Sequence, residues 1–525
     1  MGDNVADGLE QRARALTPTI PPSEGERRTG GADAQARAAS PHGVPSHLAP
    51  RASRLDGDTL HEACGVFGIY GPGEDVARLT FFGLYALQHR GQESAGMATA
   101  DGADLSLYTS MGLVSQVFSE AELGNLRKGH IAIGHTRYST TGSSCIENAQ
   151  PIRVESDLGP MALAHNGNLV NTSYLAEKLA DRGELTDSTT DSELIARLIA
   201  TAPGRDWVER IRHTMPLVKG AYSLTMLTPS ALIAIRDPYG VRPLSFGRLG
   251  GSWIVASESC ALDTIGAELL RDVQRGEIMI IDEQGPRSIQ MDVGGARPAM
   301  CSFEYIYFAR PDSIIDNTLV YLTRERMGAA LAQEHPVEAD LVMPVPDSGI
   351  PAAVGYARAS GLPYREGIIK NRYIGRTFIQ PDQRLRELGV KLKFNPLPSV
   401  LDGKRVVMVE DSIVRGTTTL STVALLRRAG AREVHVRITA PPMVNSCYLG
   451  IDTARREELI ASRLDIPAIC QHIGADSLGY LSLEAMIEAI GLPRERLCHA
   501  CFTGDYPMPV QLDLDKLVLE GARRG

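Results

Sequence analysis

Three polar loops of the sequence adjoin apolar stretches and carry residues that can do chemistry. They are QHRGQESAGM (88–97) with Arg90, GHTRYSTTG (134–142) with Arg137, and AHNGNL (164–169) with Asn166 and Gly167. A further segment, CGVFGIYG, opens with Cys64. Binding and catalytic groups concentrate in loops that rigid strands position. A thiol together with an Asn-Gly pair is suited to the hydrolysis of an amide.

Each of these groups has a defined part in such a reaction. Cys64 supplies the nucleophile, and the Asn166 amide with the Gly167 backbone N–H forms the oxyanion hole. If the amide is that of glutamine, the guanidinium fork of Arg137 suits its α-carboxylate. Asp191, in the segment TTDSE, is the candidate for its α-ammonium group. The alternative for Cys64 is a small buried side chain, the usual place of a free cysteine.

The base that would activate Cys64 is not obvious, because no His or Asp stands out as its partner. If the peptide bond before Cys64 is cleaved, the new α-amine has a pKa of about 7.7–8.0 and can take this role. Residues 1–63 are rich in Pro, Gly, Ala, Ser and Arg and have no apolar period, so we expect a disordered propeptide. A transit peptide is the alternative, and several acidic residues argue against it. These are Asp3, Asp7, Glu10, Glu24 and Glu26.

A second chemical motif, VVMVEDSIVRGTTT, covers residues 406–419. An apolar strand ends in Glu410 and Asp411, and a loop with Gly416 then opens a helix rich in threonine. Backbone N–H groups at a helix start bind phosphate. Adjacent acids suit ribose hydroxyls, directly or through Mg²⁺. The alternative is an acidic N-cap on an ordinary helix, which explains Asp411 but not the whole string.

The elements around these motifs fall into two patterns. From Cys64 onwards adjacent strands dominate, including a hairpin in YSLTMLTPSALIAIRDPYG with its turn at 228–230. This pattern predicts packed antiparallel sheets with helices outside. After about residue 300, strands such as KRVVMVE alternate with helices such as IPAAVGYARASG. That alternation predicts a doubly wound parallel sheet with ligands at the carboxyl ends of its strands.

Composition limits the classes of function. A chain of 525 residues is long enough for two large domains. The formal net charge of -9 does not suggest a nucleic-acid partner, and no apolar run is long enough to propose a membrane span. Eight cysteines without a secretory signal favour reduced thiols in a cytoplasm, so clustered cysteines suggest a metal.

The first group of motifs resembles the class II, N-terminal-nucleophile glutamine amidotransferases. CGVFGIYG, QHRGQESAGM, GHTRYSTTG, AHNGNL and TDSE occur in order over about 130 residues. The resemblance implies an N-terminal-nucleophile αββα sandwich over residues 64–295. It also implies that Arg90 lies close to the site and binds glutamine together with Arg137 and Asp191.

The second half resembles the type I phosphoribosyltransferases, which implies a doubly wound domain over 296–510 and a tail over 511–525. VPDSG (345–349) resembles their pyrophosphate loop, and KNRYIGRTFIQPDQRLRE (370–387) their mobile basic loop, with Arg376, Arg384 and Arg386 further along it. Glu410 replaces the first acid of the common Asp-Asp pair. The implied ligands of phosphoribosyl pyrophosphate (PRPP) are Glu410, Asp411, Ser412, Arg415, Gly416, Thr417, Thr418, Lys370 and Arg372. The implied Mg²⁺ ligands are Ser348, Glu410 and Asp411.

The two halves in this order resemble enzymes that make 5-phosphoribosylamine from glutamine and PRPP, the first committed step of purine synthesis. The resemblance implies internal passage of ammonia, a homotetramer and inhibition by purine nucleotides. Glucosamine-phosphate synthase and asparagine synthetase share the front half, but the motif at 406–419 speaks against both. A regulatory protein that only senses PRPP is a further alternative, which the intact amide-hydrolysis motifs disfavour.

Four cysteines match the cluster-bearing subgroup of the same family, and they are Cys301, Cys447, Cys498 and Cys501. The resemblance implies a 4Fe–4S cluster held by their thiolates. From the residues alone, zinc is an equal alternative, because four thiolates also suit Zn²⁺. Cys145, Cys260 and Cys470 are interpreted as core or surface residues.

Overall fold

The computed structural model describes residues 64–371 and 394–510, apart from Arg127, Thr140, Asp452 and Ala454, together with Leu519. The predicted propeptide, Arg372 with Arg376, Arg384 and Arg386 of the basic loop, and all but one residue of the predicted tail lie outside the described residues. Within the described part of the chain, no helix is both long and apolar enough to cross a bilayer.

The first sheet of the described chain has seven antiparallel strands, with Gly65–Tyr70 in its middle. In spatial order they are Glu268–Asp272, Ser245–Leu249, Ser252–Ala256, Gly65–Tyr70, Ile131–Arg137, Ser94–Ala100 and Leu105–Met111. The helices packed on its outer face are Val76–Ala86, Val114–Val117, Glu120–Leu126 and Ser259–Thr264. Cys64 immediately precedes the central strand, so the sheet fixes its backbone.

The second sheet has six antiparallel strands among the described residues. In spatial order they are Gly285–Gln290, Glu277–Asp282, Leu232–Arg236, Gly220–Leu227, Met161–Leu169 and Ile152–Val154. Leu227 pairs with Leu232, which confirms the predicted hairpin. Its outer helices are Thr172–Ala180, Asp191–Ala200 and Trp207–Thr214, and a short 3-10 turn covers Ile146–Asn148.

A separate apolar cluster fills the space between the two sheets, with Val66 and Ile133 from one and Ala162 and Leu232 from the other. Sheets that bury one face against each other and the other face against helices form four layers. The predicted two-domain fold class, with its αββα sandwich, is confirmed.

The second half contains a four-stranded parallel sheet of described residues, in the order Leu341–Pro344, Arg405–Glu410, Glu433–Ile438 and Ser477–Tyr480. Its helices are Val320–Glu334, Ile350–Ser360, Pro398–Leu401, Thr417–Arg428, Ile466–Ile473, Leu483–Ile490 and Ala500–Thr503. Gly361 ends the second of these helices with a φ of 74°, as its position in the sequence predicts.

Short elements join the halves and flank the parallel sheet. A π-helix spans Glu304–Phe308, and 3-10 turns cover Arg456–Glu458, Ile460–Ser462 and Arg494–Arg496. Three small strand pairs are Met300–Cys301 with Leu497–Cys498, Ile314–Ile315 with Thr318–Leu319, and Ile368–Lys370 with Phe394–Pro396. Val170, Ala221 and Val241 of the first half pack into the apolar cluster of the second half. The two halves therefore share a core.

Candidate functional site

Cys64 lies in a small pocket between the two antiparallel sheets. The pocket is lined by Cys64, Arg137, Tyr138, Thr141, Gln150, His165, Gly167, Thr190, Asp191 and Ser192. Four of the predicted residues, Cys64, Arg137, Gly167 and Asp191, are thus brought together from segments up to 127 positions apart. Asn166 lies next to Gly167 on the same strand.

The Cys64 thiol is held by the loop that follows Arg137. Its Sγ donates to the Tyr138 carbonyl at 3.2 Å and accepts from the Tyr138 N–H at 3.5 Å. Burial raises the pKa of the thiol to about 11, against the lowering effects of the Tyr138 hydrogen bond and the Arg137 charge. A base must therefore remove the proton before Cys64 can attack.

His165 lines this pocket, although its sequence context, AHNGNL, pointed only to the neighbouring Asn-Gly pair. Its Nδ1 lies 3.2 Å from Ser192 Oγ, and its Nε2 lies 3.3 Å from the Ala221 carbonyl oxygen. Both ring nitrogens therefore face other groups than the Cys64 thiol. The imidazole of His165 is thus held in the pocket wall by Ser192 and Ala221.

The Asn166 side chain is fully buried beside Ser257. Asn166 Nδ2 lies 3.4 Å from Ser257 Oγ, which also accepts from the Val66 N–H at 2.9 Å. Among the described residues Asn166 Oδ1 has no hydrogen-bond partner. A half-turn of the amide lets Oδ1 accept the Ser257 hydroxyl proton and leaves Nδ2 to donate elsewhere.

Asp191 begins the helix Asp191–Ala200, where the helix dipole favours a negative charge. Its Oδ2 accepts from the Leu169 N–H at 3.0 Å, and Oδ1 lies 3.6 Å from His165 Nδ1. Burial by itself raises the pKa of Asp191, but the His165 ring and these hydrogen bonds more than offset it, and the pKa is lowered. The carboxylate is thus kept ionised in the pocket wall.

Arg137 faces the pocket but donates to the loop that follows it. Its Nη1 reaches the Ser143 carbonyl at 3.1 Å and its Nη2 the Thr141 carbonyl at 3.2 Å. Glu93 lies 3.6 Å from the same guanidinium. A bound carboxylate would replace these loop contacts, so the role of Arg137 in binding glutamine stays a prediction.

Arg90 is placed close to Cys64, but it does not line the pocket. Its Nε donates to the Cys64 carbonyl oxygen at 3.1 Å. Its Nη atoms pair with Glu258 at 2.5 Å and with Glu304 at 2.7 Å. Burial opposes the charge on Arg90, but the two carboxylates raise its pKa well above the usual range. Arg90 thus fixes the Cys64 backbone in this structure, and its contact with glutamine stays a prediction.

The partners of Arg90 were not apparent from the sequence. Glu304 begins the π-helix of the second half, and it also pairs with Arg242 of the first half at 3.1 Å. All these side chains are buried. Removing one member of such a network leaves an uncompensated charge, which is strongly destabilising.

The predicted ribose-phosphate site forms at the carboxyl ends of the parallel strands. Glu410 ends its strand and accepts from Thr419 Oγ1 at 3.0 Å. Asp411 follows and accepts from the hydroxyls of Ser348 and Ser412, the latter at 2.7 Å. Burial raises the pKa of Asp411. The three predicted Mg²⁺ ligands therefore lie at the same edge of the parallel sheet, where its strands have their carboxyl ends.

The loop after Asp411 leads into the helix Thr417–Arg428, whose first residues include Thr417 and Thr418. Gly416 precedes it with a φ of 85°, a conformation that favours glycine. Arg415 pairs with Glu458 at 2.7 Å. Lys370 pairs with Asp347 of the predicted pyrophosphate loop. Both cations therefore have carboxylate partners that a phosphate would have to displace.

Arg324 lies buried near Asp411 and carries no signal in the sequence, since it is one of several charged residues within the helix Val320–Glu334. It donates to the carbonyl oxygens of Tyr305 and Ala309 at 2.8 and 2.7 Å. Burial lowers its pKa to about 10, and the Asp411 charge opposes this. Arg324 thus ties the π-helix to the neighbourhood of the acids.

The four predicted cluster cysteines come from three distant segments. Cys301 and Cys498 are opposite each other on paired parallel strands. The carbonyl of Cys501 accepts the N–H groups of Val444 and Asn445, which lie shortly before Cys447 in the sequence. Burial raises the pKa of the Cys498 thiol to about 11, and the Cys447 charge adds to this. Within the described part of the chain, no three Cys, His, Asp or Glu side chains form a group that could hold a single metal ion.

Comparison with known families agrees with the two-domain fold. Residues 135–264 match the glutamine amidotransferase domain, and residues 318–448 match the phosphoribosyl transferase domain.

Whole-chain relatives cover both domains. An amidophosphoribosyltransferase from Synechocystis is 54% identical over 88% of this chain and 95% of its own length. One from Mycobacterium tuberculosis H37Rv is 50% identical over 89% of this chain and 90% of its own. A solved structure of the glutamine PRPP amidotransferase from B. subtilis, complexed with ADP and GMP, has a TM-score of 0.81 and 47% identity. It covers 86% of this chain and 99% of the solved chain.

The matched regions cover 90–99% of each relative's own length. The sequence identities, 47–54%, are well above the level at which only the fold is shared. The structure adds two features to this similarity. The first domain has a pocket that contains the Cys64 thiol, and the second has a parallel strand that ends at Glu410 and is followed by Asp411. The chain therefore belongs to the amidophosphoribosyltransferase family, whose members carry out the first step of purine biosynthesis.

Proposed function

We propose that the chain converts glutamine, PRPP and water into 5-phosphoribosylamine, glutamate and pyrophosphate. Cys64 acts on glutamine, and the residues around Asp411, at the carboxyl ends of the parallel strands, bind PRPP. The observation that supports this most is the joint presence of the two sites on a shared core. Glutamine supplies ammonia at the first site, and the ammonia displaces pyrophosphate at the second.

At the first site, the α-amine of Cys64 is proposed as the base once residues 1–63 have been removed. It takes the thiol proton, and Cys64 Sγ attacks the side-chain amide of glutamine. The C–N bond then breaks as the protonated amine gives its proton to the departing ammonia, and water hydrolyses the resulting thioester to release glutamate and free Cys64. The Gly167 N–H and the rotated Asn166 amide stabilise the oxyanion. Arg137 and Asp191 hold the α-carboxylate and the α-ammonium group, while Arg90 fixes the Cys64 backbone.

At the second site, Glu410 and Asp411 are proposed to bind the ribose hydroxyls of PRPP. The loop Ser412, Arg415, Gly416, Thr417 and Thr418 binds its 5-phosphate at the helix start. Displacement at an anomeric carbon depends mainly on positioning and charge stabilisation. Lys370 and Arg372 are proposed to neutralise the pyrophosphate.

Two cofactors fit the residues present. Carboxylates and a hydroxyl are hard oxygen ligands, so Ser348, Glu410 and Asp411 suit Mg²⁺, which would neutralise charge on the departing pyrophosphate. The resemblance to the cluster-bearing subgroup supports a structural 4Fe–4S cluster held by Cys301, Cys447, Cys498 and Cys501, of which Cys301 and Cys498 are paired on adjacent strands.

The regulation and setting of the enzyme are proposed from its relatives. Because the B. subtilis relative was solved with ADP and GMP, we propose inhibition by purine nucleotides. We also propose a homotetramer in the cytoplasm, where the eight cysteines, all free in the structure, would remain reduced. The boundary between the domains is proposed between residues 295 and 296.

Pyrophosphate release from PRPP tests the proposed function. The protein should release pyrophosphate with glutamine and, independently, with ammonium salts. No release with either nitrogen source would refute the function. A protein that binds PRPP without turnover would instead support the regulatory alternative.

Mass measurements on the active protein, made without oxygen, test the processing and the cluster. Under denaturing conditions the chain should begin at Cys64. Under native conditions it should carry iron and sulfide at about four each. Full activity in a chain that still contains Met1 would contradict the α-amine base, and stoichiometric zinc in a colourless active preparation would contradict the cluster.

A further inference from the structure

The residues 439–450, here called the bridging segment, follow the third strand of the parallel sheet. The segment begins against the predicted PRPP site, because the Thr439 N–H donates to the Glu410 carbonyl at 3.0 Å. The Ala440 N–H likewise donates to the Asp411 carbonyl at 2.8 Å. The start of the segment is thus fixed to the two acids that end the neighbouring strand.

The far end of the bridging segment lies against the first domain. The Asn168 side chain donates to the Tyr448 carbonyl at 3.1 Å and accepts from Thr141 Oγ1 at 2.6 Å. Arg242 donates twice to the Leu449 carbonyl, from Nε at 3.2 Å and from Nη2 at 3.0 Å. These contacts hold the segment beside the strand that carries the proposed oxyanion hole.

Gly450, the last residue of the bridging segment, packs against Gly167. A Cβ atom at residue 450 would lie 3.0 Å from Arg242 Nη2, 3.0 Å from the Gly167 carbonyl carbon and 3.1 Å from the Gly167 Cα. The Arg242 side chain can shift by a few tenths of an ångström, whereas the Gly167 backbone moves only together with its strand. Gly167 is packed still more tightly against the neighbouring strand, since a Cβ on Gly167 would lie 2.0 Å from the Ala221 carbonyl oxygen. Gly167 is therefore enclosed between a neighbouring strand of its own domain and the backbone of the other domain.

We infer that Gly450 is a positioning residue for amide hydrolysis: the bridging segment, from the second domain, sets the position of the Gly167 N–H. This inference rests on the proposed role of Gly167 in the oxyanion hole. A side chain at 450 pushes Gly167 out of alignment with the developing oxyanion. The transition state then loses more stabilisation than bound glutamine does, because Arg137 and Asp191 hold the substrate at its other end.

Gly450→Ala tests the inference, with Gly474→Ala as the matched control. Both glycines have a positive φ, +102° and +71°, so both substitutions introduce backbone strain. Only Gly450 has backbone neighbours, since no atom lies within 4 Å of a Cβ at 474. Gly450→Ala should lower kcat for glutamine hydrolysis by about 10-fold or more, part of the 10²–10³ that loss of an oxyanion donor costs. KM for glutamine should change less than about twofold by the argument above.

Two further readouts separate positioning from a general loss of structure. Ammonia-dependent pyrophosphate release should stay near that of the parent protein in both variants. The aldehyde analogue of glutamine, which forms a tetrahedral adduct with Cys64, should bind Gly450→Ala more weakly, while glutamate should bind equally. An unchanged kcat in Gly450→Ala, or an equal loss of the ammonia reaction, would overturn the inference.

Asn168→Ala provides a second variant without backbone strain. It removes one anchor of the bridging segment, so it should give the same split between kcat and KM with a smaller loss of kcat. Unchanged hydrolysis in this variant also counts against the inference if Gly450→Ala does not fold. If the parent protein itself does not hydrolyse glutamine, the proposed function fails; if the parent is active and both variants are unaffected, only this inference fails.

Discussion

Cys64→Ala is expected to abolish the glutamine-dependent synthesis of phosphoribosylamine while the ammonia-dependent synthesis continues. The substitution removes the proposed nucleophile, and losses of several orders of magnitude are typical of such deletions. The acids of the second site are far along the chain and bind other groups, so supplied ammonia can still react there. Pyrophosphate release should be measured with each nitrogen source, at an alkaline pH at which free NH₃ is present.

Cys145→Ala is the thiol control for this experiment. Cys145 is a partly exposed cysteine whose Sγ lies 3.5 Å from Ser143 Oγ, and it does not line the Cys64 pocket. Its loss should leave both reactions near those of the parent protein. If Cys64→Ala lost the ammonia reaction in a folded protein, the division of labour between two sites would be wrong.

Asp411→Asn is expected to abolish synthesis with both nitrogen sources. Asp411 is buried at the strand end, where it accepts from Ser348 and Ser412, and an amide cannot replace the charge that the proposed Mg²⁺ and ribose contacts need. We expect a loss of at least about 100-fold, as for other groups that stabilise charge in a transition state. A slower glutaminase activity should remain, because the Cys64 pocket is unaltered.

Asp340→Asn is the matched control, a carboxylate at the opposite end of the same sheet. Asp340 accepts from the Arg405 N–H at 2.8 Å, just before the first parallel strand. Ligands of such sheets bind at the carboxyl ends of the strands, so this variant should keep both activities. Persistent ammonia-dependent synthesis in Asp411→Asn would contradict the assignment of the PRPP site.

Local patterns in the sequence were sufficient for the elements and for the chemical groups. The hairpin at 228–230 and the helix stop at Gly361 follow from residues within a few positions of each other. Cys64, Arg137, Gly167 and Asp191 were selected by type and by motif, and they line one pocket. Apolar alternation and turn residues act over short distances, so a single sequence reveals them.

Only the tertiary structure decided what lies beside those groups. The resemblance of QHRGQESAGM to the family implied that Arg90 binds glutamine. In the structure the Arg90 guanidinium pairs with Glu304, which lies 214 positions away in the sequence. Gly450 of the second domain packs against Gly167 of the first. No motif in the sequence indicates this contact or the one between Arg90 and Glu304. A buried charge is stable only beside its counter-charge, and the Gly167 backbone lies this close to residue 450 because residue 450 lacks a side chain. Both conditions depend on how distant segments pack, and local sequence does not encode that packing in any readable period.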